Sequence, residues 1–82
     1  MIKVKISEAT SKKLLKICEE KKISVNKLAT ISCLTQSTVQ NIIECKSSNP
    51  KLLTIVRICD GLNITLKDFF DDVLFDNIER ED

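Results

Sequence analysis

Five uncharged hydrogen-bonding side chains lie within one short segment, and their types indicate chemistry more clearly than any other part of the sequence. They are Gln36, Ser37, Thr38, Gln40 and Asn41. Amide and hydroxyl groups match the donors and acceptors on the edges of DNA bases, and a glutamine amide can satisfy adenine N6 and N7 together. An exposed helix without such a task more often carries Glu and Lys. The segment therefore suggests a base-reading helix, although the same residues would also suit an ordinary solvated helix.

The apolar residues around this segment predict two short helices joined by a tight turn. Their inner faces carry apolar side chains at helical spacing: Leu28, Ala29, Val39, Ile42 and Ile43. Ser24 and Thr35 are suitable N-caps for helices over about 25–31 and 36–44, and Leu34 would fill the turn between them. The sequence thus predicts that the polar residues of the second helix face outward.

A further helix and a short arm are predicted ahead of this pair. Helix 1 runs from about Ser7 or Thr10 to Lys22. Its buried stripe consists of Leu14, Ile17 and Cys18. Its charged residues are expected to face water: Lys12, Lys13, Lys16, Glu19 and Glu20. Residues 2–6 alternate between apolar and lysine residues, which is typical of a short strand or of a lead into helix 1.

Two more helices follow the pair, each with a start signal. Asn49 and Pro50 suit the cap and first turn of helix 4, and Gly61 suits the stop after it. The apolar positions expected inside helix 4 are Leu52, Ile55, Val56 and Cys59. Thr65 and Asp68 form a capping-box pattern that begins helix 5. The apolar repeat of helix 5 consists of Leu66, Phe69, Phe70, Val73 and Leu74.

Length and charge limit the classes of function. We predict a single domain over 1–82, with a core of about 7–75 and an acidic tail at 76–82. Residues 1–67 carry a net charge of +7 and residues 68–82 a net charge of −6, so the basic body suits a polyanion. No apolar run approaches the ~20 residues of a membrane span. The N-terminus does not read as a signal peptide, and we expect a cytoplasmic protein without a membrane partner.

The residue types argue against catalysis and against cofactors. The chain has no histidine and no glycine-rich phosphate loop, and its carboxylates gather in the tail, so we do not expect an enzyme. The cysteines form no Cys-x-x-Cys pair, which argues against a metal site: Cys18, Cys33, Cys45 and Cys59. Their apolar neighbours favour small buried thiols, whereas a redox role would need exposed and reactive ones. We predict neither a metal nor a cofactor.

Taken in order, these features resemble the phage Cro/repressor-type helix-turn-helix family, also called the XRE family, over residues 10–75. The matching residues are Leu28, Ala29, Cys33, Val39, Asn49, Pro50, the connection 61–65, Leu66, Phe69 and Phe70. The resemblance implies an all-α fold. It would be a compact five-helix bundle of the lambda-repressor-like DNA-binding type, with the helix-turn-helix formed by helices 2 and 3.

The resemblance also implies how such a protein would bind an operator in double-stranded DNA. Helix 3 would read bases in the major groove, while residues around it would contact phosphates. The phosphate candidates are Asn26, Lys27, Thr35, Lys46, Ser47, Ser48, Asn49 and Lys51. The implied function is transcriptional regulation, with repression as the expected sign, by a homodimer in a bacterium or mobile element. The self-interface candidates are Val73, Leu74, Phe75 and Ile78, which could equally pack within one chain.

The chain departs from the family pattern at three positions. Cys33 and Cys45 stand where the family usually has glycine, and a left-handed backbone there would cost a non-glycine residue about 1 kcal/mol. Val25 stands where the family often has a glutamine that touches phosphate. Asn26 and Lys27 are the candidates to replace that contact.

Two other functions suit the same sequence. An antitoxin-like or adaptor protein on this fold would bind another protein, with the acidic tail as a possible partner site. Such a protein should carry apolar anchors on the outer face of helix 3, where this chain has polar residues. A thiol-based redox sensor is the third possibility.

Overall fold

The computed structural model describes residues 3–46 and 49–80 and confirms the all-α architecture. Within those residues it contains α1 (Ile6–Lys21), α2 (Val25–Ile31), α3 (Gln36–Ile43), α4 (Leu52–Leu62), α5 (Leu66–Phe70) and a 3₁₀ helix (Val73–Phe75). The described residues include no β-strand. Among them, a parallel bridge joins Val4 to Ile78 and ties the arm before α1 to the segment after the 3₁₀ helix.

One apolar core holds these helices together. Its largest fully shielded side chains come from all five α-helices: Phe69, Leu14, Leu28, Ile58 and Val39. The helix α3 packs against α1 and α2, and α2 also packs against α4. The pair α2–α3 therefore packs against α1 through α3 and against α4 through α2. This packing fixes which face of α3 points outward.

Side-chain caps begin three of the helices where the sequence predicted them. Ser24 accepts a hydrogen bond from the Lys27 amide at 3.0 Å and begins α2. Thr35 caps α3 in the same way. Thr65 and Asp68 form both bonds of a capping box at α5. Each cap satisfies an amide that would otherwise lack an intrahelical partner.

The prediction for α4 was wrong at its start. Lys51, not Asn49, is the N-cap residue, and it makes no side-chain cap hydrogen bond. The buried face is correspondingly Ile55, Ile58, Cys59 and Leu62. Leu52 is 63% exposed, and Val56 is half-buried. The helical repeat running from Ile55 to Leu62 faces the core, and Leu52, in the first turn, lies beyond the edge of that packing.

Gly61 lies inside α4 and does not end it, which corrects a second prediction. The left-handed residue after the helix is Asn63, with a φ of 59°. A Cβ atom at position 61 would lie 2.5 Å from the carbonyl oxygen of Ile31 at the end of α2. Glycine is therefore required by the close approach of α2 to α4, and asparagine tolerates the left-handed turn.

Helix α1 buries a lysine that the sequence placed in water. The helix begins at Ile6, and Lys13 is only 9% exposed. Its Nζ atom contacts the Asp72 carboxylate at 3.0 Å, and Lys16 donates to the same oxygen at 2.8 Å. Asp72 is distant in sequence, so helical periodicity could not reveal this partner. The expected continuation of α5 is also interrupted here, because Asp72 caps the 3₁₀ helix by accepting from the Leu74 amide.

Candidate nucleic-acid interface

The outer face of α3 carries the polar residues singled out in the sequence. Val39 and Ile42 are buried and anchor the helix to the core. Gln36, Ser37 and Asn41 are exposed, and no described residue forms a hydrogen bond with their side chains. Three uncharged groups are thus open to a ligand on one helical face.

Thr38 differs from these three because its hydroxyl is already engaged. It is half-buried, and its Oγ1 lies 2.8 Å from Oγ1 of Thr35. Thr35 in turn accepts from the Thr38 amide at 3.2 Å. The two threonines therefore form the amino-terminal cap of α3, and Thr38 has less freedom to meet a base than Gln36 or Ser37.

Gln40 is half-buried and engaged with the carboxylate of the residue that caps the carboxyl end of α3. Its Nε2 donates to Glu44 at 3.0 Å, and the other oxygen of Glu44 contacts the Lys46 Nζ at 3.1 Å. The hydrogen bond from Gln40, followed by the bond and charge of Lys46, holds the pKa of Glu44 below its usual range. Glu44 is therefore ionised at neutral pH and can only accept hydrogen bonds.

Two shallow grooves lie along the outer face of α3. One of about 380 Å³ is lined by Gln36, Gln40, Glu44 and Lys46, among others. A second of about 390 Å³ lies toward α4. Asn41 lines both grooves, so the polar face extends as a continuous surface from the carboxyl end of α3 to α4.

The phosphate candidates are distributed around this surface. The structure places six of them at exposed positions: Asn26, Lys27, Thr35, Lys46, Asn49 and Lys51. The remaining two, Ser47 and Ser48, lie outside the described residues. Lys51 lines the groove between α3 and α4, whereas Lys27 and Asn26 are on α2. Cationic and polar groups thus occur on more than one side of α3, as a duplex backbone would require.

Two functional candidates were missed by sequence reasoning. Arg57 on α4 is exposed and lines the same groove as Thr38, Asn41 and Lys51. The sequence predicted only the apolar face of α4, and the place of Arg57 beside α3 depends on how the two helices pack. Glu44 was treated as the end of α3, although its spacing of four residues from Gln40 is the usual signal for a contact on one helical face.

The two cysteines that flank α3 have left-handed backbones. The φ angles are 56° at Cys33 and 58° at Cys45, as their positions at usual glycine sites suggested. Both are exposed, which corrects the expectation that all four thiols are buried. Only Cys18 and Cys59 are buried, and burial raises the pKa of both thiols. The protein thus has two sheltered and two accessible cysteines.

Comparison with known families agrees with this geometry. A family model described as a Cro/C1-type HTH DNA-binding domain matches residues 12–74, a range that includes α2 to α5 and most of α1. No significant match was found among curated proteins or among solved structures. Over residues 3–46 and 49–80, no helix combines the length and the apolar character needed to cross a bilayer.

Proposed function

The chain belongs to the Cro/C1-type helix-turn-helix DNA-binding domain family, and from this premise we propose that it is a sequence-specific transcriptional repressor. It would bind an operator in double-stranded DNA with α3 in the major groove. Family membership supports DNA binding and regulation of transcription. The sequence specificity and the sign of regulation are inferred from the polar face of α3 and from the family.

The observation that carries this proposal is the open, uncharged face of α3. Gln36, Ser37 and Asn41 are exposed on a helix whose opposite face is anchored by Val39 and Ile42. Their amide and hydroxyl groups can form hydrogen bonds with base edges, which distinguish base pairs in the major groove. Thr38 and Gln40 belong to the same base-contact candidates, but Thr38 already pairs with Thr35 and Gln40 with Glu44.

Cations around α3 would contact the phosphates. Lys27 on α2, Lys46 after α3 and Lys51 before α4 are exposed, and we add Arg57 to the candidates because it lines the groove beside Asn41. Contacts of this kind release counterions, so the affinity for any duplex should fall steeply with salt.

We propose that the protein binds its operator as a homodimer. The eight residues of α3 cover about 12 Å at a rise of about 1.5 Å per residue, so one chain reads few base pairs. A two-fold pair would read half-sites about 34 Å apart, or a multiple of that. Among the self-interface candidates only Val73 is largely open, at 80% exposure. Leu52 and Phe70, which line an apolar groove of about 410 Å³, offer further surface to a second copy.

The rival proposal, an antitoxin-like or adaptor module, has less support. The outer face of α3 offers amides and hydroxyls where a protein-binding face would need apolar anchors.

Fluorescence polarisation with a labelled random-sequence duplex, titrated over a series of salt concentrations, tests the proposal. We expect micromolar binding that weakens with salt, and selection from a randomised duplex library should then return a two-fold-symmetric sequence. Sedimentation of the selected duplex should give two protein chains per duplex. Folded protein that binds no duplex at any salt concentration would favour the rival.

A further inference from the structure

The carboxylate of Glu44 lies at the end of the proposed reading helix, where a negative charge repels DNA. It is exposed, and it lines the same groove as Gln36 and Gln40. An acidic group on this surface lowers the affinity for every duplex. Glu44 contacts Gln40 at 3.0 Å and Lys46 at 3.1 Å. These contacts indicate a role that would offset the loss of affinity.

The contact with Glu44 removes an ambiguity in the amide of Gln40. A free glutamine amide can rotate by half a turn and exchange its oxygen with its nitrogen. The ionised carboxylate of Glu44 only accepts hydrogen bonds, so the nitrogen of Gln40 must face it. A glutamate carboxyl is already ionised at neutral pH, and the lowered pKa of Glu44 extends this form to more acidic solution. One Nε2 hydrogen is used in this bond, while the second hydrogen and Oε1 remain for a ligand.

We propose that Glu44 is a positioning residue that fixes the amide of Gln40, so that α3 selects adenine at the base that Gln40 meets. The inference rests on the proposed function, since it assumes that α3 lies in the major groove. Adenine presents the N6 donor to the amide oxygen and the N7 acceptor to the remaining N–H. Guanine and thymine present acceptors there, and cytosine presents only a donor. Only adenine matches both groups of the fixed amide.

Lys46 links the position of the Gln40 amide to the affinity for DNA, because both residues contact Glu44. The ion pair with Glu44 partly neutralises a cation that would otherwise attract phosphate. Removing the charge of Glu44 should therefore strengthen binding to every sequence, whereas removing its hydrogen-bond acceptor should weaken the choice of base. The two consequences have separate readouts, which are the affinity for random duplex and the preference for one base.

The experiment compares Glu44→Ala, Glu44→Gln and Gln40→Ala with the natural protein. Selection from a randomised duplex library gives the operator, and the position whose base preference disappears in Gln40→Ala is the one that Gln40 reads. Duplexes with each of the four bases at that position are then titrated by fluorescence polarisation. Glu19→Gln is the matched control, since Glu19 is an exposed acid on α1 that lines neither groove beside α3.

We expect the natural protein to prefer adenine by about tenfold, which corresponds to about 1.4 kcal/mol. Glu44→Gln offers an amide that can either accept from Gln40 or donate to it, so it should lose part of that preference while binding random duplex more tightly. Glu44→Ala should also bind random duplex more tightly, but with the preference reduced to about twofold or less. Glu19→Gln should change the base preference in no measurable way.

Three results would overturn the inference while leaving the proposed function intact. One is a base other than adenine at the position that Gln40 reads. Another is an unchanged preference in Glu44→Ala. The third is an undiminished preference in Glu44→Gln, whose amide can donate as well as accept and therefore does not force the nitrogen of Gln40 toward it. Absence of salt-dependent duplex binding by the natural protein would instead end both the function and the inference.

Discussion

Two clusters pair a carboxylate with lysine ammonium groups at similar N–O distances but in different surroundings. Asp72 contacts Lys13 and Lys16 at 3.0 and 2.8 Å, and Glu44 contacts Lys46 at 3.1 Å. The Asp72 side chain is 5% exposed, whereas those of Glu44 and Lys46 are 43% and 67% exposed. Burial decides what such contacts do, because water screens the second cluster, whereas Lys13 and Asp72 of the first are largely shielded from it.

The comparison suggests a division of tasks. The first cluster joins α1 to the 3₁₀ helix and satisfies a buried lysine, so we assign it to stability. The second lies on the proposed DNA-binding surface and can exchange one partner for another at little cost, so we assign it to binding. The predictions below would break or sharpen this division.

The largest effect is expected for Asp72→Ala. The change leaves the buried Lys13 ammonium without its partner and removes the cap of the 3₁₀ helix, which should lower the free energy of unfolding by about 2 kcal/mol. Urea unfolding followed by circular dichroism measures it. Asp71→Ala is the control, since Asp71 is an exposed neighbouring acid. An equal, small loss in both variants would contradict the structural role of the first cluster.

A smaller effect, on binding, is expected for Lys46→Ala. Loss of a phosphate contact should weaken binding to all duplexes by a similar factor of about 3 to 10 and reduce the salt slope by about one unit. Polarisation titrations at several salt concentrations measure both quantities. Lys12→Ala, at an exposed position on α1, should leave the slope unchanged. A slope that stays the same in Lys46→Ala would remove Lys46 from the interface.

The two clusters should also differ in their response to acid. The hydrogen bond from Lys16, with those from the Leu74 amide and Lys13, holds the pKa of Asp72 well below its usual range. A carboxylate with a depressed folded-state pKa stabilises the fold above its unfolded pKa of about 3.9, and this stabilisation is lost as pH falls below that value. Asp72→Asn should therefore flatten the loss of stability between about pH 5 and pH 2. Glu44→Gln, at an exposed position, should leave most of that loss in place.

The smallest effect is expected for Cys45→Gly, within the backbone that joins Glu44 to Lys46. Glycine adopts the φ of 58° without steric penalty, so the free energy of unfolding should rise by up to about 1 kcal/mol. Thermal unfolding measures this change. The salt slope of DNA binding should stay the same, because Lys46 contributes to it through its charge and not through a rigid backbone. A changed slope would show that the backbone at this position controls Lys46.

Local signals in the sequence were sufficient for much of the fold. Ser24, Thr35 and Thr65 begin helices because each hydroxyl bonds to an amide three residues ahead. The outward direction of Gln36 and Asn41 followed from the apolar residues on the other side of α3. These features depend on neighbours within a few residues, which a sequence displays directly.

Features that depend on distant residues were the ones that the sequence concealed. Lys13 is buried because Asp72 meets it from across the fold. Gly61 was predicted to stop α4, because its close approach to the Ile31 carbonyl involves residues far apart in the chain and leaves no local signal. The role of Arg57 depends on how α4 packs beside α3. No periodicity in the sequence records such packing.

Under the proposed function, the close approach at Gly61 bears on which operator the protein would prefer. A methyl group there would push the end of α2 away from α4, and α3 would move with α2 because a short turn joins them. The reading helix would then tilt relative to Lys51 and Arg57, which stay on the α4 side. A position remote from any base could in this way alter which operator is preferred, through the angle at which the helix enters the groove.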